Sequence, residues 1–254
     1  MAFRLETIVP FGRSFAEYRA MFALGEGDLA GTLLDCGGGP AAFNAGLTRR
    51  GGAVVSADPL YACEAGAIRA RIGEVIPAML AKLEANREKF RWDRSGSPEE
   101  LVDLRRAAMD TFLADYPAGR RAGRYVAAAL PGLPFRAGRF DLALVSHLLF
   151  LYGDHLGRDF HLRALRELAA LAGEVRVFPL TDLDARPSPH LEPVRRALEA
   201  RGLASEVVRV DYESQKGADT MLRIAANRRR DGHEGGGAGG RDRLRPGLRG
   251  HARG

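Results

Sequence analysis

The segment Leu33-Leu34-Asp35-Cys36-Gly37-Gly38-Gly39-Pro40 puts three glycines directly after a short apolar run. Glycines in that place let the backbone come close to a ligand. A helix starting just beyond them offers unpaired N–H groups and the positive end of its dipole. Asp58 follows Gly39 by 19 residues, at the end of a second apolar run. A carboxylate at that distance can accept both hydroxyls of a ribose. Gly37, Gly39 and Ala42 also satisfy GxGxxA, the spacing that cradles a dinucleotide pyrophosphate. A glycine run can equally make only a tight turn, and a strand-end aspartate can merely cap a helix. The pattern alone therefore leaves a nucleoside site, a dinucleotide site and plain loop geometry open.

A second group of candidates follows the apolar run Phe140 to Val145, in Ser146-His147-Leu148-Leu149-Phe150-Leu151-Tyr152. Histidine titrates near neutrality and is the common general base. His147 is the best placed catalytic candidate, with Tyr152, Asp154 and His155 next; the alternative is a histidine hydrogen-bonded at a strand end. His161, beside Leu162 and Leu165 on a helical pattern, reads as a surface residue. The two cysteines, Cys36 and Cys63, form no CxxC pair, so neither a disulfide framework nor a metal site is expected.

These residues need a scaffold, and the hydrophobic periodicity supplies one. Phe15, Tyr18, Met21 and Phe22 keep helical spacing ahead of the first strand, Gly31 to Asp35. Ala41 to Arg50 reads as a helix stopped by Gly51-Gly52, and Ala53 to Asp58 as a second strand apolar nearly throughout. A long helical stretch follows. Ile68, Ile72, Val75, Ile76, Met79, Leu80 and Leu83 mark its stripe, Pro77 predicts a kink or a new start, and Ser97-Pro98-Glu99-Glu100 is a helix-start signature. Leu101, Leu104, Ala108 and Phe112 carry the stripe to about Asp115. A simple crossover needs one helix, so about 64–118 reads as a helical insertion. Further strands are predicted at Tyr125 to Ala128, Phe140 to Val145 and Glu174 to Phe178, with helices at Phe160 to Leu171 and from Leu191 to Gly202. Glu206 to Tyr212 and Thr220 to Ala226 are linked too tightly for a crossover and should be antiparallel. The order is that of a doubly wound α/β sheet.

With 254 residues, 46 % of them apolar, the chain is sized for one α/β domain. No run reaches the roughly 20 apolar residues of a membrane-spanning helix. Arg4 and Glu6 interrupt the N-terminal apolar segment, which is not the layout of a signal peptide. A cytoplasmic location is the expectation. Of the net charge of +6, the stretch Asn227 to Gly254 carries +5, with eight arginines against three acids, leaving +1 for the rest. That Gly- and Arg-rich tail has almost nothing to bury and is expected to be disordered. Electrostatic contact of the tail with RNA is one reading; a solvated tail without a role is the other.

Three features resemble the class I S-adenosylmethionine-dependent methyltransferases more than dehydrogenases. Asp35 ends the first strand just before the glycines, where a carboxylate favours the ammonium of a methionine moiety and repels a pyrophosphate. Leu133-Pro134-Phe135 precedes Phe140-Asp141-Leu142, and the sheet closes with an antiparallel pair. The resemblance spans about Phe11 to Ala226. It implies an α/β, doubly wound, mostly parallel seven-stranded sheet (a Rossmann-like methyltransferase fold) over residues 1–226, with the insertion after strand 2 and the tail at 227–254.

The resemblance also implies S-adenosyl-L-methionine as cofactor. Asp35, Gly37, Gly38 and Gly39 would line its methionine end and Asp58 would hold the ribose. Pro59 and Leu60 would flank the adenine, Leu133 and Ser146 would complete the wall, and Arg13 would meet the carboxylate. No acid in Ala127 to Leu133 is available for the adenine amino group, a departure from the family pattern. The Asn/Asp-Pro-Pro-aromatic sequence of amide and base-amino methyltransferases is also missing after strand four. The acceptor expected is a small molecule reached over the helical insertion, with Trp92 and Phe112 as wall residues; an added helical layer buttressing the sheet is the alternative. Methylation of RNA or another macromolecule, a non-catalytic cofactor-binding module and a nicotinamide-dependent dehydrogenase are the competing functions.

Overall fold

A computed structural model of the protein describes residues 9–225, so the expectation of a disordered tail from Asn227 lies outside the described residues. Seven strands among the described residues form one sheet: β1 (Thr32–Cys36), β2 (Ala53–Ala57), β3 (Tyr125–Val126), β4 (Phe140–Ser146), β5 (Ala172–Phe178), β6 (Ala204–Arg209) and β7 (Thr220–Ala225). Their spatial order is β3-β2-β1-β4-β5-β7-β6. The β3, β2, β1, β4 and β5 strands are parallel neighbours, and β7 runs antiparallel between β5 and β6. The chain winds one way from β1 to β2 and the other way from β4 to β5. A crevice therefore opens at the carboxyl ends of β1 and β4, the usual ligand position in such sheets. Register brings Cys36 opposite Val145, so the glycine loop and the Ser146-His147 turn leave the sheet side by side.

Side chains alternating along the strands feed two cores. Leu34, Ala143, Val145, Val175 and Val177 pack beneath Leu165, Leu168 and Leu171 of α6 (Arg158–Leu171) and Val194 and Leu198 of α7 (Leu191–Glu199). Leu33, Leu142 and Leu144 face the other way, against Tyr18 and Met21 of α1 (Phe15–Met21) and Phe43 and Leu47 of α3 (Phe43–Thr48). Ser14 caps α1 in a reciprocal box: the Glu17 amide donates to Ser14 Oγ at 3.2 Å, and Glu17 Oε2 accepts from the Ser14 amide at 2.8 Å. A one-turn helix α2 (Glu26–Leu29) then leads into β1.

Two long helices, α4 (Ala65–Ala85) and α5 (Pro98–Arg121), fill the connection from β2 to β3. The first runs through Pro77 as one helix, so there is no new start at the proline. A proline inside a helix costs ~3 kcal/mol. Burial of Ile68, Ile72, Val75, Ile76 and Leu83 along one face offsets that cost, at roughly 1.5–3 kcal/mol per fully buried side chain. At α5 the Glu100 amide donates to Ser97 Oγ at 3.2 Å with Pro98 in the first helical position, as the signature predicts. This helix packs on α3 and β3 and carries α4 on its outer side. Tyr61, Phe112, Tyr116 and Tyr125 interlock between them, with ring centroids 4.9–6.0 Å apart. β3 stops at Val126 rather than Ala128, because the following residues leave the sheet to wall the crevice.

Candidate functional site

The crevice holds a cavity of about 630 Å³, within the ~300–1,000 Å³ typical of small-molecule sites. Its floor is the glycine loop. Gly37 sits at φ +68°, the left-handed region, and a Cβ there would come within 2.6 Å of the Leu148 side chain. A Cβ on Gly38 would meet the Asp35 carboxylate at 2.6 Å and the Tyr18 hydroxyl at 2.7 Å. Gly38→Ala is therefore expected to push the loop toward the cavity and abolish binding of a ligand seated on it, while leaving the sheet folded. Calorimetry together with circular dichroism checks this, and unchanged affinity would remove the loop from the site.

Asp58 stands at the end of β2 with one carboxylate oxygen accepting from the Leu60 amide at 2.8 Å and the other from the Gly39 amide at 3.0 Å. It thus locks the second crossover loop to the glycine loop, which Tyr61 secures by donating its hydroxyl to the Gly39 carbonyl at 2.8 Å. Each carboxylate oxygen keeps acceptor capacity toward the cavity. Burial pushes the Asp58 carboxyl upward, opposed by those two backbone hydrogen bonds. Pro59, Leu60 and Leu133 complete an apolar slot with Ala128, Ala129 and Leu130. Glu167 of α6 shapes this wall by accepting from the amides of Gly132 (2.8 Å) and Leu133 (2.6 Å).

The expectation that Asp35 lines the cavity is corrected. Asp35 is buried beneath Gly38 and outside the cavity wall, where it accepts from the Tyr18 hydroxyl (3.0 Å) and Ser56 Oγ (3.0 Å); Asn44 in turn donates to that serine at 3.1 Å. Burial pushes its carboxyl up to about 7 against the lowering by those hydrogen bonds, and the neighbouring Asp58 charge adds to the rise. The reason is the pleat: the β1 side chain before the loop turns into the layer under α1 rather than toward the ligand side.

His147 and Tyr152 both reach the cavity wall, as does Ser146. The His147 backbone lies at φ +52°, a conformation uncommon for residues other than glycine. Its amide donates to the Phe178 carbonyl at 2.7 Å, its ring meets the Phe178 ring edge-on, and Nδ1 shares a 2.9 Å hydrogen bond with Ser146 Oγ. Burial, together with the charges of Arg13 and Arg105, holds the imidazole well below its ordinary range, hence neutral at pH 7. Asp154 and His155 are exposed and outside the wall, because the short helical turn before them points them to solvent. His161 is fully buried rather than on the surface. Its Nδ1 pairs with the Gly157 carbonyl at 3.0 Å, and its ring packs between Phe150 and His190.

Arg13 lines the cavity over the glycine loop, held by donation to the Phe11 carbonyl at 2.8 Å; its Nε has no partner among the described residues. Behind it lies a cluster that sequence reasoning missed. Arg105, 1 % exposed on α5, pairs with Glu17, which also accepts from the Tyr212 hydroxyl at 2.8 Å. Burial opposes the charged form of Glu17, but the Arg105 guanidinium outweighs it and holds the carboxyl at about 2. Two signals were available: Ser14-x-x-Glu17 is a capping-box spacing, and Arg105 interrupts the apolar stripe of Leu101, Ala108 and Phe112. Trp92 and Phe112 do not line the cavity. Phe112 is consumed by the aromatic cluster, and Trp92 packs half-buried beside Phe90, its ring N–H donating to the Arg87 carbonyl at 2.9 Å. Met79, Leu83 and Phe90 form that wall instead.

No family model matches the chain. An uncharacterised protein of Methanocaldococcus jannaschii is 29 % identical over 221 residues, covering 87 % of this chain and 97 % of the relative. Among solved structures, the N-methyltransferase NodS of Bradyrhizobium japonicum in complex with S-adenosyl-L-homocysteine is similar with a TM-score of 0.42 and 14 % identity, over 84 % of each chain. The magnesium protoporphyrin IX methyltransferase of Synechocystis is similar with a TM-score of 0.39 and 15 % identity, over 79 % of this chain and 76 % of that one.

Proposed function

We propose that the protein is an S-adenosyl-L-methionine-dependent methyltransferase acting on a small-molecule acceptor. The observation that carries this reading is the joint geometry of Asp58 and the glycine loop: a carboxylate with spare lone pairs beside an apolar slot, next to a cradle a Cβ would fill. The buried, unpartnered Nε of Arg13 at the other end suits a carboxylate-bearing ligand. Asp58 would take the ribose, Pro59, Leu60 and Leu133 the adenine, Gly37, Gly38 and Gly39 the methionine end, and Arg13 the carboxylate. The apolar slot fits the missing acid between Ala127 and Leu133, with stacking and backbone groups reading the base.

The cofactor supplies an electrophilic methyl carbon on a positively charged sulfur, and its transfer is an in-line displacement. The chain contributes alignment and exclusion of water. His147, neutral and on the wall, can accept the acceptor's proton as the methyl group arrives, its Nδ1 fixed by Ser146. Tyr152, on the wall of the same cavity, would orient the acceptor. We read α4 as an addition to the simple crossover, contributing Met79 and Leu83 to the acceptor side. The near-neutral charge of the chain before the tail favours a small acceptor over RNA.

Calorimetric titration tests the reading, with S-adenosylhomocysteine, NAD and NADP run in parallel. Binding of the homocysteine nucleoside at roughly micromolar Kd is expected. Clear binding of a dinucleotide with none of the nucleoside would make the protein a dehydrogenase instead.

A further inference from the structure

Tyr18 and Asp35 are each 1 % exposed and lie outside the cavity wall, yet a line of hydrogen bonds joins them to His147. Strand alternation puts Asp35 of β1, Ser56 of β2 and Ser146 of β4 on the sheet face that carries Leu33, Val54 and Leu144. Register sets Asp35 between Ser56 on one side and Leu144, two residues before Ser146, on the other. Tyr18 reaches this polar end of the face from α1. Its hydroxyl donates to Asp35 Oδ1 at 3.0 Å and is also hydrogen-bonded to the Ser146 side chain. Ser56 Oγ donates to the second Asp35 oxygen at 3.0 Å, and Asn44 donates to that serine at 3.1 Å. At the other end Ser146 Oγ lies 2.9 Å from His147 Nδ1. All of these side chains except His147 are buried, so little water competes for their protons.

An ionised carboxylate only accepts, so Asp35 gives the line a direction. Tyr18 commits its one proton to Asp35 and can only accept from Ser146. Ser146 then commits its proton to Tyr18 and can only accept from the ring. We infer that Tyr18 and Asp35 are positioning residues for His147, acting through Ser146 to keep the ring proton on Nδ1 and leave the Nε2 lone pair for the acceptor's proton. This inference rests on the methyltransferase reading above, in which His147 is the base. Without the line, the Ser146 hydroxyl is free to donate to Nδ1, which puts the ring proton on Nε2 and removes the base. In the reaction the proton lost by the acceptor ends on Nε2 and the Nδ1–H bond stays intact. The positive charge gained by the ring then faces the Asp35 carboxylate through two hydroxyls.

Long-range proton–nitrogen NMR correlations on full-length protein carrying isotope-labelled histidine distinguish the two tautomers, and the His147 signals are those lost in His147→Gln. At about pH 8 the Asp35 carboxyl, pushed up to about 7 by burial, is mostly ionised. The unaltered protein is expected to hold His147 as Nδ1–H by at least about tenfold, the ratio that one hydrogen bond of ordinary net strength sustains. Tyr18→Phe removes only the hydroxyl and keeps the ring stacked 4.5 Å from Phe43, so the fold should survive. The ratio should then fall at least about fivefold toward Nε2–H. Ser146→Ala, which cuts the line at the ring, should give a similar fall. A His147 found as Nε2–H in the unaltered protein, or an unchanged ratio in either variant, would overturn the inference. The tautomer is read without ligand, so failure of S-adenosylhomocysteine to bind would count against the methyltransferase reading and not against the line of hydrogen bonds.

Discussion

Asp58→Asn is expected to bind S-adenosylhomocysteine on the order of a hundredfold more weakly than the unaltered protein, with the sheet still formed. The carboxylate does two things at once. It accepts from the amides of Gly39 and Leu60, and it presents lone pairs to the cavity. An asparagine has a single acceptor oxygen and would aim its amide N–H groups at a backbone donor or at the ligand hydroxyls. Charge-assisted hydrogen bonds contribute ~1.5–3 kcal/mol each, so losing one or two accounts for that factor. Calorimetry gives the affinity, and thermal unfolding without ligand separates lost recognition from a loosened loop. Affinity within a factor of three of the original would mean that Asp58 is only a clasp between two loops.

The second large effect concerns stability. Glu17→Ala leaves Arg105, 1 % exposed, without its counter-ion and removes the acceptor of the Tyr212 hydroxyl and of the Ser14 amide. Breaking one side of a buried pair typically costs ~3–5 kcal/mol. Urea unfolding should show this loss, and adding Arg105→Met to Glu17→Ala should recover part of it by removing the stranded charge. A loss under 1 kcal/mol, or no recovery in the double variant, would refute the account. The same pair sets an acid limit. Because the folded-state carboxyl is held at about 2, below its ordinary 4.5, its contribution is complete above about 4.5. It is lost as pH falls from there through about 2. Unfolding free energy should therefore drop across that window in the unaltered protein, and the Glu17→Ala variant should lose less over it.

Much of the frame was legible in the residue pattern. The apolar runs of β1, β2 and β4 mark strands covered on both faces, and the tight link between β6 and β7 allows only an antiparallel pair. Strand ends were less legible. β3 stops two residues early because the chain is needed as a wall, a demand that does not exist until the crevice does.

By itself, the sequence determined the glycine loop, the distance to Asp58 and the arrival of Ser146-His147 at the same sheet edge, because these depend on local backbone freedom and strand periodicity. Tertiary structure alone decided which polar groups face the cavity. Asp35 was drawn under the loop by Tyr18 and Ser56, Phe112 was consumed by an aromatic cluster, and Phe90 was brought to the cavity by pairing with Gln215 from 125 positions away in the chain. Arg105 and Glu17 lie 88 residues apart, and their charges matter because burial between α1 and α5 removes the water that would otherwise screen them. A periodicity shows that a side chain faces inward, but not which of several interiors it enters, and that choice carries the chemistry.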